Sequence, residues 1–287
     1  MPFAKAPSVR MRRIGSALRK AREENGLTMD TACRRYGRSK GWLSTLENGL
    51  HPIDPQELSD LLDFYGVPDG PLRESLLHLA KHNPGKNWQR AREGWISAAA
   101  LDLASLEEDS VLIQSFQPNV IPGLLQTEEY AWALMKAGLK GPKRNNAELV
   151  RFRMSRQRLL ARKDAPRYET VIGEAALRQQ VGGASVMRAQ IRKLIESPRR
   201  DQVALHVLPL SSNADLGIAG SFDIFTLGPP GQLTVAVAED FTRSTFVESE
   251  AEVLIFEKIF AYFRSAALDE ASSLRVLQQI ASDHEHS

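Results

Sequence analysis

Residues 27–49 read LTMDTACRRYGRSKGWLSTLENG, and this stretch decides the fold of the N-terminal part of the chain. Thr28 is a good N-cap residue, because its hydroxyl can accept a hydrogen bond from a backbone N–H that lacks a partner at the start of a helix. Gly37 offers a position where a positive φ costs little, and Ser39 can cap a second helix. The pattern therefore predicts a helix, a turn and a second helix.

The second helix has an apolar face and a polar face. Leu43 and Leu46 are three residues apart and are expected to point inward. Gly49 can follow the C-terminus of the helix, where glycine is favoured. A helix-turn-helix unit places its second helix in the major groove of DNA, with the first residues of that helix at the base edges. The stretch therefore predicts a site for double-stranded DNA.

We expect the DNA contacts to come from the second helix and from the turn before it. Asn48 can bridge N6 and N7 of adenine, Lys40 can reach guanine, and the methyl group of Thr45 can pack against thymine. Arg35 and Arg38, beside the turn, are better placed for phosphates. The predicted contact residues are Thr28, Arg35, Arg38, Ser39, Lys40, Gly41, Ser44, Thr45 and Asn48.

The same stretch resembles the Cro/repressor-type (XRE) helix-turn-helix family, whose usual signature is T-Q-x-x-L-A-x-x-x-G-x-S-x-x-x-I-S-x-x-E-x-G. The signature positions that this chain fills are Thr28, Gly37, Ser39, Leu43, Ser44, Glu47 and Gly49. Met29 departs from the pattern, because it stands where the family usually has a glutamine that contacts DNA. The resemblance implies a transcription regulator, and we expect a repressor.

Length and composition are typical of a soluble protein with two domains. The chain has 287 residues, of which 43% are hydrophobic and 25% are charged. No apolar run approaches the ~18 residues of a membrane helix, and no apolar stretch follows the basic N-terminus as in a secretory signal. The single cysteine, Cys33, fits a reducing compartment. We therefore expect a cytoplasmic protein with no membrane contact.

The net charge of +2 hides four segments of alternating sign. Residues 1–50 carry 11 Lys and Arg against 4 Asp and Glu, and residues 140–200 carry 16 against 5. The first basic segment contains the helix-turn-helix pattern, as attraction to DNA phosphates requires. The second leaves two interpretations of residues 144–163 open. They form either an amphipathic helix with a solvated basic face, or a site for an anionic ligand, an acidic partner or flanking DNA.

The predicted elements divide the chain into two domains. Helical patterns over residues 10–82 predict an all-α, five-helix, repressor-like helix-turn-helix domain that starts after a disordered N-terminus. Residues 83–97, with Trp88 and Trp95, read as a linker. Residues 98–287 mix short β-rich runs with helical stretches, which predicts a larger α+β domain for regulation and oligomerisation.

The β-rich runs of the second domain lie at 111–116, 168–172, 203–208, 222–227, 233–238 and 244–247. The three runs between residues 203 and 238 are close in sequence and favour an antiparallel meander. Helical patterns lie at 127–138, 145–163, 174–180, 184–197, 250–266 and 269–282. Thr127 is expected to cap the first of these helices, and Ser249 and Glu252 have the spacing of a capping box.

The second domain resembles the companion domain of a family of actinobacterial regulators. The segments that carry this resemblance are SFQPNVIPGLLQTEEYAWALM (115–135), VIGEAALRQQVGG (171–183), LHVLPL (205–210) and AGSFDIFTL…VAVAEDF (219–241). Over residues 10–282 the chain is similar to the WhiJ-like, antitoxin-like transcriptional regulators, which are often encoded beside a small partner protein. The resemblance implies such a partner and assigns no chemistry to individual residues of this domain.

The sequence offers little for catalysis or metal binding. It has no G-x-x-x-x-G-K-[ST] phosphate loop and no zinc-ligand spacing. We expect no enzymatic activity, no cofactor and no bound metal. Besides an enzyme fused to a DNA-binding module, which these absences disfavour, two functions remain open: a DNA-binding regulator controlled by a small partner protein or a ligand, and an antitoxin-like interaction protein whose DNA binding serves autoregulation.

A homodimer is expected, because one recognition helix reads only a few base pairs. Each correct pair contributes about 1–3 kcal/mol, so useful specificity needs two half-sites. An apolar stripe lies within the helix over 250–266 and comprises Val253, Phe256, Ile259, Phe260 and Phe263. It is either the dimer contact or part of the domain core.

Overall fold

The computed structural model describes residues 7–81, 96–137, 145–199, 201–214, 220–228, 233–239 and 244–283. The chain folds as two units. Helices of the N-terminal region and residues 97–105 belong to the first, and most of residues 106–283 belongs to the second. Residues 83–95 of the predicted linker, with Trp88 and Trp95, lie outside the described residues.

The N-terminal region is helical, as its sequence predicts. Its helices are α1 (Val9–Glu24), α2 (Met29–Tyr36), α3 (Lys40–Glu47), α4 (Pro55–Phe64) and α5 (Pro71–Lys81). The first helix begins at Val9, where the Ser8 side chain caps it by accepting a hydrogen bond from the backbone N–H of Met11. The side chains at the centre of this region are fully buried and are Leu18, Leu58, Leu61, Leu62, Tyr65 and Leu76.

The second region alternates helices and strands. Helix α6 (Ala98–Asp109) begins in the first unit and ends in the second. The other helices of the second region are α7 (Glu128–Ala137), α8 (Asn146–Arg156), α9 (Glu174–Arg178), α10 (Ala184–Glu196), α11 (Glu250–Ala266) and α12 (Glu270–Asp283). Its strands are β1 (Ser110–Gln117), β2 (Arg167–Gly173), β3 (Val203–Leu208), β4 (Phe222–Leu227), β5 (Leu233–Glu239) and β6 (Ser244–Val247). All of these strands lie within one residue of the predicted β-rich runs. Helix α6 was not predicted, because its apolar residues do not keep to one face.

The strands form one mixed sheet with the order β3-β2-β1-β4-β5-β6. Strands β1, β2 and β3 are parallel neighbours, whereas β5 and β6 are antiparallel. The predicted antiparallel meander over residues 203–238 is therefore wrong, since β3 pairs with β2 at one edge and does not lie beside β4. Helices α9 and α10 connect β2 to β3, and a connection of this length returns the chain in the parallel direction.

Helix α11 covers one face of the sheet with the apolar stripe that the sequence singled out. Phe263 stacks on Phe116 of β1, with 4.1 Å between the ring centroids. Val253 and Phe260 are also buried, and Phe256 and Ile259 pack against the same cluster. The stripe is therefore core, and its interpretation as a dimer contact is wrong.

The caps of the second region follow the sequence in part. The hydroxyl of Thr127 accepts a hydrogen bond from the backbone N–H of Tyr130 at 3.2 Å, which confirms the predicted cap of α7. Ser249 is the N-cap residue of α11, but its side chain makes no capping hydrogen bond. The capping box predicted from Ser249 and Glu252 is therefore wrong.

Arginines within residues 145–163, the described part of the basic segment, contact acidic neighbours. Arg156 donates two hydrogen bonds to the buried carboxylate of Glu107, at 2.7 and 2.6 Å. Arg151 pairs with Glu148, and Arg162 lies 3.4 Å from Glu108. These contacts favour the amphipathic interpretation. The predicted continuous helix ends at Arg156, after which the chain tightens into a 3₁₀ turn at Gln157–Ala161.

The other face of the sheet carries polar groups near its centre. Ser115 and Gln117 alternate with Phe116 along β1, so they point away from α11. The Gln117 amide nitrogen lies 3.4 Å from the Asp223 carboxylate on β4. Burial, together with the nearby carboxylates of Glu239 and Glu107, raises the pKa of Asp223 to about 7.

We predict that Asp223 makes the second region less stable as the pH rises. The unfolded carboxyl loses its proton near pH ~4, whereas the folded one keeps it until about 7. Stability is therefore greatest below the unfolded pKa and is lost as the pH rises through the folded pKa. Asp223→Asn removes this loss, so its urea midpoint, followed by circular dichroism, should exceed that of the wild type at about pH 8 and differ less at about pH 5. Asp164→Asn, at an exposed position, is the matched control. An equal pH dependence in the wild type and Asp223→Asn would contradict the assignment.

Candidate nucleic-acid interface

Helices α2 and α3 form the predicted helix-turn-helix. The Thr28 hydroxyl caps α2 by accepting a hydrogen bond from the backbone N–H of Thr31 at 3.2 Å. Gly37 ends α2 with a φ of 76°, the left-handed conformation that favours glycine. The Ser39 hydroxyl caps α3 by accepting from the backbone N–H of Trp42 at 3.1 Å. Sequence and structure agree on each of these positions.

The backbone of the C-terminal half of α3 packs directly against the backbone of α1. A Cβ atom at Gly15 of α1 would lie 2.6 Å from the carbonyl oxygen of Leu46. Gly49, with a φ of 68°, lies equally close to α1, because a Cβ atom there would be 2.7 Å from the backbone nitrogen of Arg12. Only glycine allows these two approaches, so they fix where α3 lies relative to α1.

A buried ion pair reinforces the same contact. The Glu47 side chain is 0% exposed, and its two oxygens accept from Nε and Nη2 of Arg22 at 2.7 and 3.0 Å. The hydrogen bond to Glu47 raises the pKa of Arg22. Arg19 adds a longer contact to Glu47, at 3.4 Å. The sequence marked Glu47 as a signature position, but it gave no indication of its two arginine partners on α1.

The N-terminal end of α3 is open to solvent. Ser39, Lys40 and Gly41 are exposed there, and the Lys40 side chain retains 65% of its accessible surface. The Lys40 ammonium lies 3.0 Å from the carboxylate of Asp30 on α2, in a surface ion pair of the kind that contributes little to stability. This end of α3 can therefore approach another molecule without unfolding any part of the domain.

Gly41 has no packing reason to be glycine. A Cβ atom at this position would have only the Ser39 hydroxyl within range, at 4.0 Å, and the φ angle of Gly41 is not positive. Glycine inside a helix costs about 0.5–1 kcal/mol relative to alanine. The position therefore lowers the stability of α3 with no gain inside the protein, which fits close approach by an external backbone or base.

Among the predicted contact residues, Asn48 and Thr45 have hydrogen bonds that hold their side chains against the domain. The Asn48 amide oxygen accepts from Arg19 at 2.7 Å, and its nitrogen donates to the Ser44 carbonyl at 2.7 Å. The Thr45 hydroxyl donates to the Trp42 carbonyl at 2.8 Å. A bridge from Asn48 to adenine thus requires the loss of its hydrogen bonds to α1 and α3, and it stays a prediction.

The arginines beside the turn differ in their surroundings. Arg38 forms an ion pair with Glu57 at the start of α4, and its guanidinium lies 5.1 Å from the Trp42 ring centroid. Arg35 is exposed on α2. Arg38 is therefore held beside α3, where its contacts connect the turn to α4 and to the partly buried Trp42.

Residues 37–41, GRSKG, also match the G-x-S-x-G motif, in which the serine is a catalytic nucleophile. That motif needs a strand-to-helix turn that exposes the serine hydroxyl at the edge of a sheet. Here both flanking elements are helices, and the Ser39 hydroxyl caps α3. The residues at this position therefore build a turn and a cap. Among the described residues no cluster of three or more His, Cys, Asp or Glu could hold a metal ion, and no described helix has the length and apolarity to cross a membrane.

Comparison with known families agrees with this geometry. The family model described as a helix-turn-helix domain matches residues 13–76, so the N-terminal region is a helix-turn-helix domain, a class of DNA-binding module. A second family model, described as "Domain of unknown function (DUF5753)", matches residues 100–279. This match covers more than half of the chain, which therefore belongs to the DUF5753 family. No curated protein and no solved structure matches the chain.

We predict that the buried ion pair is essential for the stability of the helix-turn-helix domain. Glu47→Gln keeps the shape of the side chain but leaves the buried Arg22 charge with only the exposed carboxylate of Glu23, 3.2 Å away, which should cost up to about 3–5 kcal/mol. The measurement is hydrogen exchange of peptides from α1 and α3, since it reports this domain separately from the rest of the chain.

Glu24→Gln is the matched control for this prediction. Glu24 lies 3.8 Å from Lys20 in a pair whose side chains are 65% and 78% exposed. Removal of such a surface pair should cost about 0–1 kcal/mol. Equal loss of protection in the two variants would show that the buried pair has no special role.

Proposed function

We propose that this protein is a sequence-specific, DNA-binding transcription regulator of the XRE type. The observation that carries this proposal is the exposed start of α3, where Gly41 leaves room for close approach and the rest of the helix is fixed on α1. A rigid helix whose first turn is open has the arrangement that base-edge readout requires. Lys40 and Ser44 are the side chains best placed for the bases, and Arg35 is best placed for a phosphate.

We further propose that the second region controls DNA binding and does not catalyse a reaction. The resemblance to WhiJ-like, antitoxin-like regulators supports a small protein partner, while a ligand is the other candidate for the control. In the alternative function, the protein mainly binds that partner and its DNA binding serves autoregulation. Exposed apolar side chains on α11, among them Leu254, Ile255 and Tyr262, favour protein binding by this region.

The proposal also includes a homodimer, in which two recognition helices read two half-sites. The residues that we assign to the dimer contact differ from the stripe now placed in the core. Leu254, Ile255 and Tyr262 lie on the solvent side of α11 and are 47%, 57% and 51% exposed. Two antiparallel copies of this helix would bring Leu254 of each chain near Tyr262 of the other, as a two-fold contact requires.

DNA binding is tested by selecting genomic fragments on the full chain and measuring affinity for the selected site. We expect the logarithm of the association constant to fall with the logarithm of the salt concentration, with a slope of about −0.9 for each phosphate neutralised. Gly41→Ala should stabilise the domain by about 0.5–1 kcal/mol and yet weaken binding to the selected site, because its methyl group occupies the space that DNA needs.

Ser16→Ala is the control for the Gly41 variant. Ser16 is exposed on α1, so alanine should raise helix stability there without any change in DNA affinity. Absence of a selected sequence would overturn the proposed function. Unchanged affinity of Gly41→Ala would instead exclude the close approach at this residue alone.

The dimer is tested by sedimentation of Ile255→Glu together with Tyr262→Glu. We expect the wild type to sediment as a dimer at micromolar concentration and the double variant as a monomer, because it places two carboxylates at the centre of the contact. Leu210→Glu is the control, since Leu210 is 60% exposed outside α11. A double variant that stays dimeric would show that this face of α11 is not the dimer contact.

A further inference from the structure

The second region contains a recess of about 600 Å³ that lies away from α11. Its walls are the 3₁₀ turn Gln157–Ala161 and the C-terminal half of α10, with the short turn Gly123–Leu125 and the start of β3 between them. The size falls within the range of roughly 300–1,000 Å³ that is usual for small-molecule sites.

Polar and charged groups meet on one side of this recess. The Lys193 ammonium donates to the backbone carbonyl of Gln126 at 2.6 Å and to the side-chain oxygen of Gln157 at 2.7 Å. The Gln157 amide nitrogen donates in turn to the carbonyls of Gly123 and Gln126, at 2.9 and 2.8 Å. These bonds hold both side chains in place, so the recess is organised before any ligand enters.

The lining has an excess of positive charge. Arg192 and Lys193 face a single acidic residue, Glu196. Leu160, Ala161 and Ala189 are among the apolar residues that complete the lining. An arginine and a lysine that line the same recess can neutralise a carboxylate or a phosphate through charge-assisted hydrogen bonds, and the apolar residues can contact the remainder of a small molecule.

We propose that this recess binds a small organic anion, a carboxylate or a phosphate ester. Arg192 and Lys193 pair with its charged group, and its apolar part packs on Leu160 and Ala189. Glu196 opposes the anion and limits its affinity. A ligand of this class would supply the control in the function proposed above. Regulation by the anion rests on that function, whereas binding of the anion to the recess does not.

The same hydrogen bonds give the anion a way to act on the domain. An anion that attracts the Lys193 ammonium competes with the carbonyl of Gln126. The side-chain oxygen of Gln126 accepts from Arg153 of α8 at 2.7 Å, and Arg156, one turn further, holds Glu107 of α6. Binding of an anion in the recess therefore affects the hydrogen bonds and the ion pair that connect α10, α8 and α6.

The test uses the full chain without DNA and three probes that share a phenyl ring: benzoate, phenyl phosphate and phenol. Dissociation constants come from saturation-transfer NMR titrations. We expect at least one of the two anions to bind about tenfold more tightly than neutral phenol, the gain that one charge-assisted hydrogen bond provides. The anion that binds identifies the charged group as a carboxylate or a phosphate. Equal binding of all three probes, or of none, overturns the proposal and leaves the DNA-binding proposal unaffected.

Two variants in the lining should change the affinity for the anion in opposite directions. Arg192→Gln removes an exposed positive charge and should weaken binding about tenfold. Glu196→Gln removes the opposing carboxylate and should strengthen it, a result that loss of folding cannot produce. Arg275→Gln, on the exposed side of α12, is the control and should change nothing. If Arg192→Gln binds the anion as Arg275→Gln does, the recess is not the site.

Discussion

The position of α3 in the helix-turn-helix domain depends on the ion pair between Glu47 and Arg22. This pair joins the end of the recognition helix α3 to α1 inside the domain, where the Glu47 side chain is shielded from water. A buried charge is costly unless it is paired and hydrogen-bonded. A displacement of α3 would separate Glu47 from Arg22, so the pair favours a single position of α3. The backbone approaches at Gly15 and Gly49 need that same position.

A fixed helix with an exposed first turn connects the fold to the proposed function. Packing and charge hold the C-terminal half of α3, while Ser39, Lys40 and Gly41 at its start are exposed to solvent. Gly41 fits this division, because it weakens the helix where nothing in the protein requires glycine. The two faces of the sheet in the second region also differ in character. Its α11 side is apolar core, whereas the opposite side holds Asp223, the Arg156–Glu107 pair and, further along, the recess beside Lys193.

Local structure followed closely from the residue pattern. The caps at Thr28 and Ser39, the positive φ of Gly37 and the limits of the strands are set by neighbours within a few residues, so a single sequence reveals them. The residue pattern did not predict the structure where a partner distant in the chain determines it. The stripe on α11 has the same apolar spacing whether it meets a second copy or the sheet, and β3 has the same composition beside β2 as it would beside β4.

The sequence by itself determined the class of the first domain, since spacing, caps and glycines suffice to specify a helix-turn-helix, and the family match confirms it. It also determined the α+β character of the second. Only the tertiary structure decided the order of the sheet, the partners of Glu47 and the engagement of Asn48 by Arg19. The contacts of Glu47 and Asn48 and the pairing of β1 with β2 join residues more than twenty positions apart. Their approach is set by the packing of whole elements, which no local pattern contains.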